Sequence, residues 1–384
     1  MSHASVSVTP PPGEPHAWDQ TLDARTRALE QAADLAVLAP SVHNTQPWVI
    51  ELQPGRMQLR ADRTRQLSAL DPQGRALVQS VGAALFNVRV ALADRGWAVA
   101  VDRVPDREDP DLLAVIRPVE GTAEAKMAEL APAVRRRRTN RRAFTAAPVP
   151  VKVLRELTAI ADDEGAVLVP VLTSTQRRLV ARLTRQADRL QNAEPAYRAE
   201  LRRWTTRARA KGDGVPAAVV PHVDGRQHDE LPLRDFDSGG TGALPAQTHS
   251  DGDQTMVLIA TRTDDQGAWL SSGEALQHLL LRLTELGWVA SPITQAIEVP
   301  LTRTQLRSAM TWDAHPQMLL RIGHAAPTAP TPRRRRDDVV VNSQRPPEPE
   351  PVHERSLPPR RTAPPAARPA HRRVPDGRGG TTWI

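Results

Sequence analysis

Apolar residues recur at helical spacing in eight stretches of this chain. Between Gly273 and Trp288, for example, alanines and leucines fall three or four positions apart and would form one broad apolar face. Asp71-Pro72 is a typical helix start, and Ser271 with Glu274 has the spacing of a capping box. The pattern predicts helices near 22–38, 72–95, 122–137, 150–163, 174–190, 196–208, 271–286 and 301–309.

Seven shorter apolar runs are typical of β-strands. Pro54-Gly55 separates the first two runs, so we expect a hairpin there. Because helices and strands are interspersed without strict β-α-β alternation, the predicted fold class is α+β. The strands are expected at Val49–Leu52, Met57–Ala61, Ala98–Val104, Leu113–Val119, Val167–Leu172, Thr255–Thr261 and Met318–Ile322.

Two of the predicted helices repeat each other. The segment Gly82–Trp97 aligns without a gap with Gly273–Trp288 at an offset of 191 residues. A glycine, an alanine, two leucines, a second glycine and a tryptophan coincide. Chance similarity of two glycine-capped core helices is one explanation, but we favour a tandem duplication.

The net charge of +7 is concentrated at the end of the chain. From Arg333 onward twelve arginines face six acidic residues, so this part carries +6 and residues 1–332 carry +1. Aromatic residues are also few, with one tyrosine and three phenylalanines. We therefore do not expect the body of the protein to bind nucleic acid. The Arg/Pro-rich tail offers an alternative site for nucleic acid or another acidic partner, but we favour a solvated tail.

Several function classes are excluded or disfavoured by composition. The chain has no cysteine, which rules out disulfides, thiolate catalysis and thiolate-held metals. No apolar run approaches the roughly 20 residues of a membrane span, and no signal-peptide core is found, so we expect a cytoplasmic protein without membrane contact. The acidic and histidine residues His222, Asp224, His228 and Asp229 match no rigid ligand frame, and we expect no metal site.

The segment Arg137-x-Thr139-x-Arg141 has the chemistry that a phosphate group needs. In an extended chain, alternate side chains point the same way, so two guanidinium groups and a hydroxyl would converge. The alternative is a solvated basic run at the end of a helix, where cations suit the dipole.

The segment from Pro40 to Trp48 is a turn bracketed by prolines and rich in hydrogen-bonding groups. Ser41, Asn44 and Gln46 offer donors and acceptors at the end of the first helix. The alternative is a well-capped structural turn. We interpret His43 as a polar turn residue rather than as a base or ligand.

Together these segments resemble the FMN-dependent nitroreductase family. Ala39–Trp48 resembles its PSxxNxQPW turn, and Arg137–Arg141 resembles its RxSxR phosphate motif. Met318–Gly323 followed by Pro332–Arg334 is similar to its C-terminal strand and basic finish. The turn precedes the phosphate motif here, an order similar to that of the Acg-like subfamily, in which two family units are fused. The resemblance covers about residues 20–335.

The resemblance implies a nitroreductase-like fold in two tandem degenerate copies that pack as an intramolecular pseudo-dimer, so that the chain is monomeric. In the family one unit supplies the phosphate arginines and the other supplies the turn, with the flavin between them. Here the mirror-image site lacks both motifs. No RxSxR motif precedes the first helix, and Asp162–Gly165 stands where the second turn would be. We therefore expect one FMN per chain. The implied parts are a disordered lead (1–18), a first half (19–125), a second half (126–336) and a disordered tail (337–384).

The family positions also imply roles for individual residues. Arg137, Thr139 and the run Arg333–Arg335 would hold the phosphate, and Arg141 would lie near the pyrimidine edge. No catalytic side chain is implied. The implied FMN-binding residues are Pro40, Ser41, Asn44, Gln46, Arg137, Thr139, Arg141, Arg333 and Arg335.

Two functions follow from the resemblance. The first is an FMN-dependent oxidoreductase, which would pass hydride from NADH or NADPH through flavin N5 to a small electron-poor acceptor. The alternative is a protein that binds and sequesters FMN without turnover. In Acg-like relatives a long loop acts as a lid over the flavin, and the irregular stretch 209–253 would be that lid, anchored by Arg234–Phe236.

Overall fold

In the computed structural model, one helix packs on a five-stranded sheet, a second helix packs on a four-stranded sheet, and the two helices pack against each other. The structure describes residues 17–145, 147–216, 219–222, 234, 236, 244–246, 255–311, 313–342, 373–375 and 381–383. Contacts divide the chain into a unit at 1–343 and a second unit at 344–384.

All eight predicted helices are found in order, but one of them is split into α3 and α4 and the short α9 is added, so ten are described. They are α1 (Ala17–Ala36), α2 (Arg75–Asp94), α3 (Ala125–Ala128), α4 (Ala131–Arg136), α5 (Val151–Asp163), α6 (Ser174–Ala193), α7 (Pro195–Thr205), α8 (Gln266–Glu285), α9 (Gln295–Glu298) and α10 (Pro300–Met310).

All seven predicted strands are found, and six short ones are added. They are β1 (Trp48–Gln53), β2 (Arg56–Ala61), β3 (Ala98–Arg103), β4 (Leu112–Val119), β5 (Val167–Val171), β6 (Pro221–His222), β7 (Leu244–Ala246), β8 (Thr255–Thr261), β9 (Val289–Pro292), β10 (His315–Gly323), β11 (Val340–Asn342), β12 (Arg373–Pro375) and β13 (Thr381–Trp383). In the second unit the structure describes β12 and β13, which form an antiparallel pair.

The two main sheets have the same internal order. The first runs β11-β1-β2-β4-β3 and the second runs β5-β8-β10-β9. Apart from β11, each sheet therefore pairs its four strands in the chain order first, second, fourth, third, and all of these pairings are antiparallel. Since α2 and α8 each lie between the second and third strand, the two halves share one element order.

Helices α2 and α8 pack closely because each has a glycine at the crossing. A Cβ on Gly82 would lie 2.2 Å from the carbonyl oxygen of Leu270, and one on Gly273 would lie 2.1 Å from that of Gln79. Gly273 and Leu270 follow Gly82 and Gln79 by 191 residues, so the two contacts are reciprocal. Reciprocal contacts of this kind characterise an isologous interface.

A second reciprocal pair lies further along the same helices. The ring of Phe86 stacks on that of His278 with centroids 4.6 Å apart. The Gln277 amide nitrogen donates to the Asn87 side-chain oxygen at 2.7 Å. His278 and Gln277 stand 191 positions after Asn87 and Phe86, so each pair mirrors the other.

Each sheet has its own apolar core. The first core includes Leu29, Trp48 and Leu113, and the second includes Leu157, Val257 and Leu320, all fully buried. Within the described chain, α2 alone is long and apolar enough to cross a membrane, unlike the expectation that no run would be. Its apolar window is 89% buried inside the protein, so core packing accounts for its composition.

Three helix boundaries differ from the prediction for local reasons. Helix α2 begins at Arg75 rather than 72 because Gly74, at φ 78°, breaks the helical path. Asp71 still accepts a hydrogen bond from the Leu77 amide at 2.9 Å. The predicted helix at 122–137 is two short helices, α3 and α4, and Pro132 begins the second.

The predicted capping box at Ser271 and Glu274 is wrong. Helix α8 begins earlier, at Gln266, and its N-cap Asp265 accepts from the Ala268 amide at 2.9 Å. Glu274 lies within the helix, where its carboxylate pairs with Arg103 instead.

The disordered tail was placed too early, at 337. Residues Arg336–Asp338 form a 3₁₀ turn, and β11 pairs in parallel with β1. Val339 is buried in the first core, which accounts for the order of this segment. Residues 343–372 lie outside the described part of the chain. A truncation that tests whether the tail binds nucleic acid should therefore be made after Ser343, since one at Asp337 would remove a strand.

We expect the Gly273→Ala substitution to lower the free energy of unfolding by about 1–3 kcal/mol or more, because the new methyl group forces α2 and α8 apart. Gly267→Ala is the matched control: its Cβ would meet no atom closer than 3.4 Å, and alanine is the better helix former. Urea denaturation of both variants measures the difference. Equal stabilities would contradict close packing at the crossing.

Candidate functional site

The turn between α1 and β1 is held in an unusual backbone conformation. His43, Asn44 and Gln46 have φ values of 46°, 55° and 51°, in the left-handed region that side chains rarely adopt. The Ser41 hydroxyl accepts a hydrogen bond from the Gln46 amide at 2.9 Å, which closes the turn. Such strain persists only where surrounding contacts hold it.

The side chains of Asn44 and Gln46 supply those contacts. The Asn44 amide nitrogen donates to the carbonyl oxygens of Gly214 at 2.9 Å and Pro332 at 3.1 Å. The Gln46 amide nitrogen donates to Gly212 at 2.8 Å, and its oxygen accepts from the Arg334 backbone at 2.9 Å. The two residues predicted as cofactor ligands therefore bind the turn to two later segments.

The predicted phosphate residues form a second feature, which we call the arginine cleft. Four guanidinium-bearing residues and two threonines line it, and no carboxylate does: Arg135, Arg137, Arg138, Arg333, Thr139 and Thr331. Sequence analysis anticipated Arg137, Thr139 and Arg333 here. Arg135 and Arg138 were not predicted, although they belong to the same basic run.

Arg137 is buried and Arg333 is half-buried in the cleft. Arg137 is 4% exposed, and burial followed by repulsion from Arg333 and Arg138 lowers its pKa to about 9. Burial and the charge of Arg138 lower the pKa of Arg333 to about 10. The Nε atoms of both residues are buried without a hydrogen-bond partner. An anion in the cleft would supply the missing acceptors and counter-charge.

Arg335 lies away from this cleft. Its side chain is 81% exposed and forms a 3.6 Å ion pair with Asp337. Arg335 therefore does not line the cleft, unlike the prediction, because neighbouring side chains of an extended segment point in opposite directions. Arg333 is the member of the run that reaches the cleft.

Another recess, which we call the central cavity, shares the lining residue Thr139 with the arginine cleft. The turn contributes Pro40 and Ser41, and Arg141 lies on the wall. The first two turns of α2 and the end of β9 form other walls. Leu276, Leu280 and Met318 add apolar surface. The structure thus brings Pro40, Ser41, Thr139 and Arg141 to one cavity.

His43 also faces the central cavity and is more than a polar turn residue. It is 7% exposed, and its Nε2 lies 3.0 Å from Nη1 of Arg234. Because a guanidinium only donates, Nε2 must accept, and the imidazole proton lies on Nδ1. Nδ1 is buried without a partner. Burial, followed by the charges of Arg234 and Arg141, lowers the pKa of His43 well below its ordinary value.

Two residues of the irregular stretch reach the same cavity. Arg234 pairs with Glu298, and Phe236 lies edge-on to His43 with ring centroids 5.6 Å apart. The Arg141 guanidinium lies 5.0 Å from the centre of the Phe236 ring. Most of the predicted lid, including Asp235, lies outside the described residues.

Among the described residues, no three histidine, aspartate or glutamate side chains lie together in a way that could hold a metal ion. The candidate ligands His222, Asp224, His228 and Asp229 are not among the side chains that the structure describes.

A sequence model described as "Nitroreductase family" matches residues 134–324, which include the arginine motif and end at β10. A Mycobacterium tuberculosis H37Rv protein, Rv3131, provisionally named an NAD(P)H nitroreductase, is 37% identical over 311 residues. The alignment covers 80% of this chain and 89% of the relative. The chain belongs to the nitroreductase family.

Acg of the same organism, also provisionally named an NAD(P)H nitroreductase, is 32% identical over 324 residues, covering 82% of this chain and 95% of Acg. The predicted relationship to Acg-like nitroreductases is thus confirmed. Among solved structures, a nitroreductase of Bacteroides fragilis with bound FMN has a TM-score of 0.32 and 14% identity, covering 52% of this chain and 89% of that one. A structure from Anabaena variabilis, titled as a nitroreductase, has a TM-score of 0.40 and 8% identity, covering 75% and 82%.

We expect the substitution of Asn44 to separate its two roles in this nitroreductase-family chain. Asn44→Gly keeps the left-handed backbone accessible and loses only the side-chain bonds, lowering the free energy of unfolding by about 1–3 kcal/mol. Asn44→Ala loses the same bonds, and the left-handed backbone of an alanine should lower the free energy of unfolding by about a further 1–2 kcal/mol. Urea denaturation should rank wild type above Asn44→Gly, and that variant above Asn44→Ala. Wild-type stability in both variants would show that the amide does not hold the turn.

Proposed function

We propose that this nitroreductase-family chain binds one FMN and acts as an FMN-dependent oxidoreductase. The observation that carries the proposal is that Thr139 lines both the arginine cleft and the central cavity. A cleft with four arginines and no carboxylate suits a phosphate, and a cavity with apolar surface and a few polar groups suits a planar ring system. Two of the family's solved members are titled as FMN complexes.

The unpaired donors of the site support FMN in particular. Arg137 and Arg333 would hold the phosphate through their Nε groups, which lack partners now. Arg141 has an unpaired Nη1 and lines the central cavity, where it would donate to the acceptor atoms of the pyrimidine edge. Pro40 and Ser41 would contact the ring or ribityl chain. The bound flavin would supply hydride transfer, and these side chains would bind and orient it.

We further propose that the chain is a monomeric pseudo-dimer of two duplicated halves, at about 19–125 and 126–336. The shared strand order and the reciprocal glycine contacts of α2 and α8 support this duplication. The first half would supply the turn and the second half the phosphate arginines.

A buried ion cluster supports a single FMN per chain. Leu280 of α8 lines the central cavity. Arg89 of α2 stands 191 residues earlier, so it holds the position in the first half that corresponds to Leu280 in the second. There Arg89 contacts Glu164 at 2.6 Å and Glu274 at 2.8 Å. Glu164 belongs to the segment that stands in place of a second turn. A paired, buried charge at these positions leaves no equivalent apolar wall for a ring.

The electron donor that we propose is NADH or NADPH, as the names of the mycobacterial relatives suggest for those proteins. The acceptor would be a small electron-poor molecule in the central cavity. We propose a soluble, cytoplasmic setting for this reaction.

We expect the purified chain to be yellow, with close to one FMN per chain. The pair Arg137→Ala and Arg141→Ala removes one cation from the cleft and one from the cavity, and should abolish retention of FMN. The matched control is the pair Arg136→Ala and Arg335→Ala, which removes the same charge outside both recesses. Absorbance spectra with protein quantification measure the ratio. A colourless protein that ignores added FMN would contradict the proposal.

A second candidate function is sequestration of FMN without turnover. The observation in its favour is that Arg234 and Phe236 pack against His43 and Arg141 inside the central cavity. A loop seated there would exclude nicotinamide from the flavin. Residues 209–253 would then act as a closed lid anchored by Arg234 and Glu298.

Anaerobic reduction distinguishes the two functions. In an enzyme, NADH or NADPH should bleach the flavin within seconds to minutes. In a sequestering protein, only dithionite should do so, and Phe236→Ala should restore bleaching by the nucleotide because it removes a ring from the cavity. If the variant and the wild type react equally fast, Phe236 does not shield the flavin.

A further inference from the structure

Arg75 is a buried cation with almost no partners. It begins α2 and is 8% exposed. Among the described hydrogen bonds its guanidinium has one partner, the Ile297 carbonyl oxygen, to which Nη2 donates at 2.8 Å. Its Nε is buried and unpaired. Burial, followed by the charge of Arg303, lowers the pKa of Arg75 to about 10, so it stays charged at neutral pH.

The carboxylates near Arg75 are already bound by other donors. No ion pair joins Arg75 to a carboxylate within the described chain. Asp71 accepts a hydrogen bond from the Leu77 amide at 2.9 Å. Asp264 forms an ion pair with Arg303 at 2.7 Å, and Glu298 forms one with Arg234. The charges of these carboxylates still act on Arg75, but none of them hydrogen-bonds to it. The Nε of Arg75 therefore lacks an acceptor, and a buried donor without one is costly.

Arg75 lies at the wall between two recesses. It lines the central cavity and also a neighbouring one, which we call the second cavity, formed between the start of α2, α6, α7 and α10. Ile297 and Glu298 complete the shared wall. Thr139, which leads to the arginine cleft, is not part of it. The central cavity thus has the arginine cleft on one side and Arg75 on another.

The unpaired polar atoms of the central cavity are all nitrogen donors. Among the described residues they are His43 Nδ1, Arg75 Nε, Arg141 Nη1 and Gln295 Nε2. The only carboxylate in the lining, Glu298, is bound by Arg234 and by the Thr294 hydroxyl at 2.6 Å. A ligand with acceptor atoms and negative charge would complement these four donors.

We propose that Arg75 binds the carboxylate of the electron acceptor, so that the substrate is a monoanionic, electron-poor aromatic or conjugated acid. This inference rests on the proposed function, in which Arg141 serves the flavin. Arg234 is already paired, so Arg75 is the guanidinium left for a second ligand. A single guanidinium fork matches a planar carboxylate, whereas the doubly charged phosphate is served by the converging cations of the arginine cleft.

Two probes that differ in a single substituent, a carboxylate in one and a neutral hydroxymethyl group in the other, test the proposal. They are 4-nitrobenzoate and 4-nitrobenzyl alcohol, which share the ring and the nitro group. Titration calorimetry of the FMN-loaded chain should show the acid binding about 10–100-fold more tightly than the alcohol, as expected for a charge-assisted hydrogen bond. Equal affinities in the wild type would overturn the proposal without any variant.

Variants then locate the anion. Arg75→Gln should abolish the preference for the acid. The affinity for the alcohol and the FMN content should stay as in the wild type. Arg75→Lys should restore part of the preference. Arg307→Gln is the matched control, because Arg307 lines the second cavity alone. An equal loss in Arg307→Gln would place the anion in the second cavity and overturn the assignment. Should Arg75→Gln fail to fold, the Arg75→Lys comparison decides: a preference undiminished from the wild type would overturn the role of the guanidinium fork.

The result can be separated from the proposed function. FMN content is read from the absorbance of the same samples. A chain that holds FMN but shows no preference for the acid contradicts the Arg75 site alone. A chain that takes no FMN contradicts the proposed function, and calorimetry with 4-nitrobenzoate on that chain still tests Arg75.

Discussion

The close approach of α2 and α8 is the constraint on which the rest of the structure depends. Gly82 and Gly273 let each helix touch the backbone of the other. These helices carry residues of both halves into the central cavity, Gln79 and Ser80 from α2 and Leu276 and Leu280 from α8. A wider spacing would draw the turn away from the arginine motif and separate the two sides of the site.

Buried charge is paired differently in the arginine cleft and central cavity than in the ion cluster around Arg89. In the arginine cleft and the central cavity, buried guanidinium groups retain unpaired donors. In the ion cluster, by contrast, Arg89 and Arg103 are both bound by Glu274. The charges of the cluster are thus paired within the protein, whereas the cleft and the cavity keep donors that a ligand could pair.

The sequence predicted the parts of this protein that depend on local pattern. The seven main strands and most helices follow from apolar periodicity, and the arginine motif and the proline-bracketed turn were found from spacing alone. Individual roles were harder, because they depend on contacts between distant segments. Asn44 meets Pro332 and Gly214, Arg335 turns to solvent, and Ser271 lies inside a helix that begins earlier. Arg75 gave no signal, because a single arginine at a helix start is ordinary until its burial is known.

The parallel pairing of β11 with β1 joins segments that are nearly three hundred residues apart in the chain. The Pro332 carbonyl and the Arg334 amide, which fasten the turn, come just before β11. During synthesis on the ribosome, the edge strand β11 and the contacts that fasten the turn therefore cannot form until residues 332–342 have emerged. Such distant pairings are slow to form. The first sheet can pair β1 to β4 earlier, so its edge and the turn are completed last.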